Sequence, residues 1–309
     1  MTSRPSVSVI ILAYNAQMFV RETDESVLGQ TYPAAQIIVV DDGSTDQTVA
    51  MLDIYKPRVH VVCQANAGAA AARNRGLDLA TGDALAFVDA DDVWRPDKLE
   101  RQIQHLLAHS DCGVIHTAAR VIDGTGSELT TGCMIRVGEP ASGDCLRALI
   151  RHCTVWMSSS LVSKEALRGT RFGLGLKGVE DWDFWLQLAR TVRFGYIDQP
   201  LIDYRVHGGN VSASLELMGV GGMEVMRRTL ARETDRSIRR EAKRQLRSKT
   251  RVLAHVLYES GRLREARSMF LRIAPFFRTE DLARIAATCL PGRTRGALRH
   301  LWQSGRHAA

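Results

Sequence analysis

The stretch Phe87-Val88-Asp89-Ala90-Asp91-Asp92-Val93-Trp94 decides how this 309-residue chain is read. Residues 84–88 form an apolar run of strand length. Three carboxylates follow within four positions, with Asp83 just before the run. Like charges a few Å apart raise one another's pKa unless a cation neutralises them. Oxygen ligands of this kind suit Mg2+ or Mn2+, which keep open positions for a substrate's phosphates. The bland alternative is a solvated acidic turn leading into a helix opened by Pro96.

Outward from this stretch, two periodicities alternate. Strand-like runs occupy 7–12, 36–40, 59–64, 84–88 and 113–119, and helical spacing occupies 17–30, 45–55, 68–80 and 96–109. Strands alternating with helices predict an α/β fold with a mostly parallel sheet covered on both faces. Residues 123–151 read as irregular and Gly-rich, 155–162 as a strand, 181–189 as a helix, and 196–202 as a strand returning to the sheet. In such sheets ligands bind outside the carboxyl ends of the strands. After the first strand comes Ala13-Tyr14-Asn15-Ala16, with no glycine fingerprint, and no phosphate-loop signature occurs anywhere in the chain. After the second comes Asp41-Asp42-Gly43-Ser44-Thr45-Asp46. A helix cap and a tight turn explain Gly-Ser-Thr but not the paired carboxylates. A carboxylate there can accept a hydrogen bond from a base N–H, and Tyr14 can cover the base or be an ordinary half-buried aromatic.

The chain is 45% apolar and 24% charged, an ordinary globular composition. Its six cysteines include no C-x-x-C pair, and read as reduced, buried small hydrophobes. No apolar run approaches the ~20 residues that span a bilayer, and residues 1–6 lack the order of a signal peptide; the expectation is a cytoplasmic protein. From Leu215 onward there is no strand signal, and two helices read as joined at Gly261. This last part holds 21 Lys and Arg against 9 Asp and Glu, a net +12, whereas the preceding 214 residues carry −5. The expected division is 1–212 for an α/β catalytic domain and 213–309 for a basic helical region. That region can be a packed appendage, a peripheral contact with anionic membrane, or a nucleic-acid binder. No aromatics interleave the dense run at 236–251, which argues against nucleic acid.

Four motifs in register then become specific: VSVIILAYN at 7–15, DDGSTD at 41–46, NAGAAAARNRG at 66–76 and FVDADDVW at 87–94. Together they resemble the GT-A glycosyltransferases of family 2, over about residues 5–212. The resemblance implies a Rossmann-like nucleotide-sugar-binding sandwich, with uracil the commonest base in such enzymes. It implies that Tyr14 and Asp42 contact the base, that Arg73 lies near the nucleotide, that Asp89 faces the ribose or donor, and that Asp91 ligates Mg2+ or Mn2+. Ala13, Asn15 and Ala90 belong to the same donor-binding segments. Leu12 departs from the proline or threonine common there.

Downstream, Gly178-Val179-Glu180-Asp181-Trp182-Asp183-Phe184-Trp185 is similar to the family's Glu-Asp motif at a helix start. The resemblance implies that Asp181 is the general base of an inverting transfer, taking the proton of the acceptor hydroxyl. On charge alone, Glu180 and Asp181 equally suit a helix N-terminus. Trp182 and Trp185 can stack on an acceptor, but at helical spacing they fit a core better. The stretch 204–212, from Tyr204 and Arg205 through His207 to Ser212, resembles the family's closing Y-R-x-H loop. The resemblance implies that His207 completes the metal shell, or that Arg205 and His207 hold the diphosphate; without the motif, a lone loop histidine reads as ordinary polar surface. The Gln-x-x-Arg-Trp motif and membrane helices of processive members are missing, which points to single additions onto a glycan or lipid-linked acceptor in cell-surface polysaccharide synthesis. A nucleotidyltransferase and a non-catalytic scaffold are the competing readings. The first is disfavoured by the absence of a Gly-rich triphosphate loop, the second by intact Asp91 and Asp181.

Overall fold

The computed structural model describes residues 4–129, 138–210, 214–274, 276 and 278–288. The chain runs β1 (Val7–Ala13), α1 (Val20–Leu28), β2 (Gln36–Asp41), α2 (Thr48–Leu52), β3 (His60–Cys63), α3 (Ala69–Leu79), β4 (Ala84–Asp89), β5 (Val93–Trp94), α4 (Lys98–Ala108) and β6 (Cys112–Asp123). It continues through α5 (Leu146–Arg151), β7 (Leu161–Ser163), α6 (Lys164–Leu167), α7 (Glu180–Leu188), β8 (Arg193–Val206), α8 (Leu215–Arg232), α9 (Arg236–Glu259), α10 (Leu263–Arg272) and α11 (Thr279–Thr288).

One eight-stranded sheet has the order β3-β2-β1-β4-β7-β6-β8-β5. The β3-β2-β1-β4 half is parallel throughout, as β-branched runs buried on both faces require. The other half is mixed. β7 lies antiparallel between β4 and β6, β6 and β8 are parallel, and β5 closes the edge antiparallel to β8. Along β1, Val7, Val9, Ile11 and Ala13 face one core layer with α1 and α4, and Ile10 faces the other with α3 and α7. The approach of α3 to β1 is close: a Cβ on Gly76 would stand 2.4 Å from Cγ2 of Ile10.

Three expectations are corrected. The strand expected at 155–162 is a 3-10 turn at Met157–Ser159 followed by the short β7. Ser159 Oγ donates to Trp156 O (2.8 Å) and Ser160 Oγ to Met157 O (2.6 Å), so the serines satisfy local backbone and break the run. The stretch read as irregular contains α5, whose Leu149 and Ile150 are fully buried. β8 exceeds the expected 196–202 segment by three residues before it and four after it, carrying Asp203, Tyr204 and Arg205 as sheet residues past a register shift opposite Pro200.

The helices after 214 pack directly on the sheet domain. Val225 and Met226 of α8 and Ala242 of α9 share a core with Trp182, Phe184 and Trp185 of α7. Asp183, fully buried on α7, receives Nη1 and Nη2 of Arg232 at 2.6 and 3.3 Å. Gly261 (φ +79°) makes the turn between α9 and α10. The boundary read at 212 falls on 211–213, outside the described residues, as do Val211, Ser212, Cys133 and Cys289. Cys63, Cys112, Cys145 and Cys153 are free thiols, and Cys63 and Cys153 are exposed residues rather than the buried ones expected. No helix among the described residues is long and apolar enough to cross a membrane.

Candidate active site

The carboxyl ends of β1, β2 and β4 meet at one edge of the sheet. Asn15, just after β1, takes a left-handed backbone (φ 48°), which asparagine tolerates. Its backbone N–H donates to Ser44 Oγ (2.8 Å), and its Oδ1 accepts from Thr45 N (2.9 Å). These bonds tie the β1 and β2 loops together and leave the Tyr14 ring about half exposed (52%) at their rim. Asp42 is buried: Oδ1 accepts from Gln64 Nε2 (2.8 Å) and Ala67 N (2.9 Å), and Oδ2 from Gly68 N (2.8 Å). Its carboxylate therefore pins the 64–68 loop at the start of α3. Gly43 makes this possible, because with φ +77° a Cβ there would stand 2.8 Å from Asn66 N.

Arg73 projects from α3 between two acidic groups. Nη2 lies 2.6 Å from Asp89 Oδ1 and Nη1 lies 2.7 Å from Glu180 Oε1. The guanidinium is 5% exposed and faces the Phe172 ring at 5.7 Å. One buried cation thus joins the end of β4 to the start of α7, elements far apart in sequence. Burial raises the pKa of Asp89, and Arg73 opposes the rise. Asp181, beside Glu180, is only partly exposed; burial, reinforced by the Glu180 charge, pushes its pKa up to about 7. One of its oxygens accepts from the Trp182 N–H (2.7 Å). A carboxylate so raised can both take and release a proton near neutrality.

Asp91 and His207 form a second pair, with His207 Nε2 3.0 Å from Asp91 Oδ2. One carboxylate oxygen and one imidazole nitrogen converge here, both partly exposed, and both are donor types that a divalent cation takes. Among the described residues no group of three or more His, Cys, Asp or Glu could hold a metal. Two protein donors fit an ion that fills its remaining positions with phosphate oxygens and water.

Around this pair the sequence reading missed a set of supports. Asp92 is buried; Oδ1 accepts from Arg205 N (2.9 Å), and Oδ2 accepts from Ser158 Oγ. Ser158 Oγ also accepts from Asp89 N (3.1 Å). Burial, with the charges of Asp91 and Asp89, raises Asp92 well above the usual carboxylate range. Arg205 sits on β8 with Nε donating to Asp91 O (2.8 Å), Nη2 2.6 Å from Glu22 Oε2, and its guanidinium 4.9 Å from the Phe19 ring. Its side chain is 2% exposed, so it clamps the Asp91 segment instead of presenting free N–H groups to a diphosphate. Ser158, Glu22 and Phe19 carry no local sequence signal. Asp83 lies at the far end of β4, bound to Ser6 N (2.8 Å), away from the site. Trp182 and Trp185 are core residues; Trp182 Nε1 donates to Leu149 O (2.6 Å).

The fold and site define a GT-A type α/β transferase. Residues 8–157 match the family described as Glycosyl transferase family 2. TuaG of Bacillus subtilis, assigned to teichuronic acid biosynthesis as a glycosyltransferase, is 33% identical over 217 residues, 68% of this chain and 83% of TuaG. The chain belongs to glycosyl transferase family 2. Among solved structures, S. aureus TarS 1-349 in complex with UDP-GlcNAc is similar at TM-score 0.59 and 19% identity, covering 92% of this chain and 79% of that one. The mannosyltransferase PcManGT from Pyrobaculum calidifontis, in complex with GDP-Man and Mn2+, is similar at TM-score 0.60 and 19% identity, covering 99% and 83%.

Proposed function

We propose that this chain moves one sugar, with inversion, from a nucleotide-diphosphate sugar to a hydroxyl of a glycan or lipid-linked acceptor in cell-surface polysaccharide synthesis. The observation that carries the reading is the Asp89–Arg73–Glu180 bridge, which brings the acidic end of β4 and the Asp181 carboxylate into one cluster. Tyr14 lies over the base, with Ala13 and Asn15 shaping the floor beside it. Asp42 acts on the base side through the 64–68 loop that it pins. Arg73 and Ala90 stand next to the nucleotide, and Asp89 faces the ribose or donor. Asp91 and His207 would hold Mg2+ or Mn2+, which supplies charge stabilisation for the departing diphosphate. Arg205 keeps Asp91 in place. Asp181 takes the acceptor proton as the hydroxyl attacks. The donor complexes of TarS and PcManGT support this class of donor, UDP-linked in the first and GDP-linked with Mn2+ in the second.

A thermal-shift panel of UDP, GDP, dTDP, CDP and ATP, each with and without Mn2+, tests the reading. A ligand at about 100 times its Kd adds roughly 2.7 kcal/mol of stability. Selective, Mn2+-dependent stabilisation by one nucleoside diphosphate is the expected result. A response to ATP alone would instead make the chain a nucleotidyltransferase. Silence throughout from folded protein would favour a scaffold.

A further inference from the structure

A second concavity lies on the helical side of the molecule. It is a cavity of about 320 Å³ lined by His152, Arg244, Arg247, Arg251, Phe276 and Arg278. α9 supplies three of the arginines at spacings of three and four residues, so they share one helix face. Arg251 is neutralised by Asp281 (2.9 Å) and donates to Phe276 O (2.6 Å), which anchors the floor. Arg247 lies over the Phe276 ring at 4.1 Å. Arg278 spends its backbone N–H on Asp281 (2.8 Å). Among the described residues, no carboxylate lies within ion-pair distance of the Arg244, Arg247 or Arg278 guanidinium groups. Arg244 and Arg278 are exposed, Arg247 is half-buried, and Arg244 is partly offset by the charge of Glu241; like charges gathered in one concavity repel, and an anion relieves that repulsion.

The cavity is joined to the active site through the chain at residues 152–153. His152 lines it, and the next residue, Cys153, feels both the Asp181 carboxylate and the Lys249 ammonium. Lys249 lies 5.0 Å from the Trp182 ring, one residue past Asp181, and among the described residues it has no carboxylate partner. Its charge also acts on His152. The 152–153 segment therefore links the cavity wall to the neighbourhood of Asp181. The concave form and modest volume fit a compact anion held by arginine forks, not the plane of a bilayer.

We propose that this cavity holds a phosphate or diphosphate group of the acceptor, so that the acceptor is a phosphate-bearing glycan or glycolipid steered toward Asp181. The inference rests on the glycosyl-transfer reading of the site. Two sources share this chemistry: a diphosphate joining glycan to lipid, and a phosphodiester within a polymer.

The test is calorimetric titration of the whole chain in EDTA with inorganic pyrophosphate and, separately, dimethyl phosphate. Arg244→Gln/Arg247→Gln removes two charge-assisted contacts and should weaken binding about tenfold or more. Lys249→Met should weaken it as well. Tighter pyrophosphate assigns the lipid diphosphate, and tighter dimethyl phosphate assigns the polymer backbone. Excess UDP should not displace either anion. No binding, displacement by UDP, or binding indifferent to the arginine pair overturns the proposal. So does variant-sensitive binding confined to phosphatidylglycerol vesicles or to poly(U). UDP with Mn2+, read by thermal shift on the same proteins, separates the two failures. Stabilisation by UDP with silent anions sinks this inference alone, whereas silence in both sinks the donor reading too.

Discussion

His207 Nε2 stands 3.0 Å from Asp91 Oδ2, while His207 Nδ1 accepts from Gly209 N at 3.1 Å. With Nδ1 used as an acceptor, a neutral ring carries its proton on Nε2, aimed at Asp91. A divalent cation shared by the two residues would take Nε2 and shift that proton to Nδ1, at the expense of the Gly209 contact. Asp91→Ala should cost about tenfold or more in the apparent Kd for UDP with Mn2+, as loss of a coordinating charge does. His207→Ala should cost less, and neither should matter in EDTA. Titrating UDP at several Mn2+ concentrations, with and without EDTA, checks this. Equal losses in EDTA would assign both residues to direct nucleotide contact.

The raised Asp181 pKa sets a direction for the rate. The group must be ionised to accept a proton, and its folded pKa is pushed up to about 7 by burial and by Glu180. Transfer should therefore climb with pH through about 7 and level off above it. Asp181→Asn removes the proposed base and should lower kcat by roughly 10²–10⁴, the usual scale of general-base catalysis. UDP binding should survive in the same variant. A pH–rate profile of kcat/KM, with the acceptor saturating or not, is the measurement. A flat profile from pH 5 to 9, or an Asp181→Asn variant at near-normal turnover, would remove Asp181 from the role.

The parallel half of the sheet was legible because β-branched runs and helical spacing are local signals: 7–12 and 84–88 lie within β1 and β4. Asp89, Asp91 and Asp181 were legible for a related reason, as motif residues at element ends. The supports were not. Arg205 is 114 residues from the Asp91 carbonyl it holds, and Glu22 is 183 residues from Arg205. Ser158 reads as one of three serines in an apolar stretch until the fold brings it against Asp89 and Asp92. Pairings of that kind depend on tertiary approach, which periodicity does not encode. The same holds for β7, where serine hydroxyls competing for backbone carbonyls overrode the strand pattern.

The helices after 214 should be inseparable from the catalytic fold. Asp183 is fully buried, and its charge is met by Arg232 of α8, while Val225 and Met226 complete the core around Trp185. Breaking a buried pair from one side typically costs about 3–5 kcal/mol, because a charge is left uncompensated. Arg232 is itself partly exposed, so Arg232→Ala should fall at or below the low end of that range. Expression of residues 1–214 alone should give insoluble or molten material, because α8 is lost along with that charge. Chemical unfolding of Arg232→Ala and of the truncated chain decides the matter. A soluble, cooperatively unfolding 1–214 fragment would show that the two parts are independent after all.

Asp24 supplies a stability prediction with an unusual sign. It is fully buried on α1, neither carboxylate oxygen has a hydrogen-bond partner among the described residues, and burial raises its pKa to about 7. The unfolded chain releases this proton near pH 4, the folded chain only near 7. Between those values the folded state binds more protons, so stability falls as pH rises from about 4 to 7 and stays low above. At about 1.4 kcal/mol per pKa unit, the upper bound on this contribution is roughly 4 kcal/mol. Asp24→Asn removes the titration without changing the shape of the side chain. It should be nearly neutral at pH 4, and at pH 8 it should raise Tm by several degrees, since 1 kcal/mol moves a domain of this size by about 2–4 °C. Melting curves of the two proteins across pH 4–8 should therefore converge at the acid end and separate at the alkaline end. Curves that stay parallel across that range would mean that water or a shifted side chain solvates the carboxylate in solution.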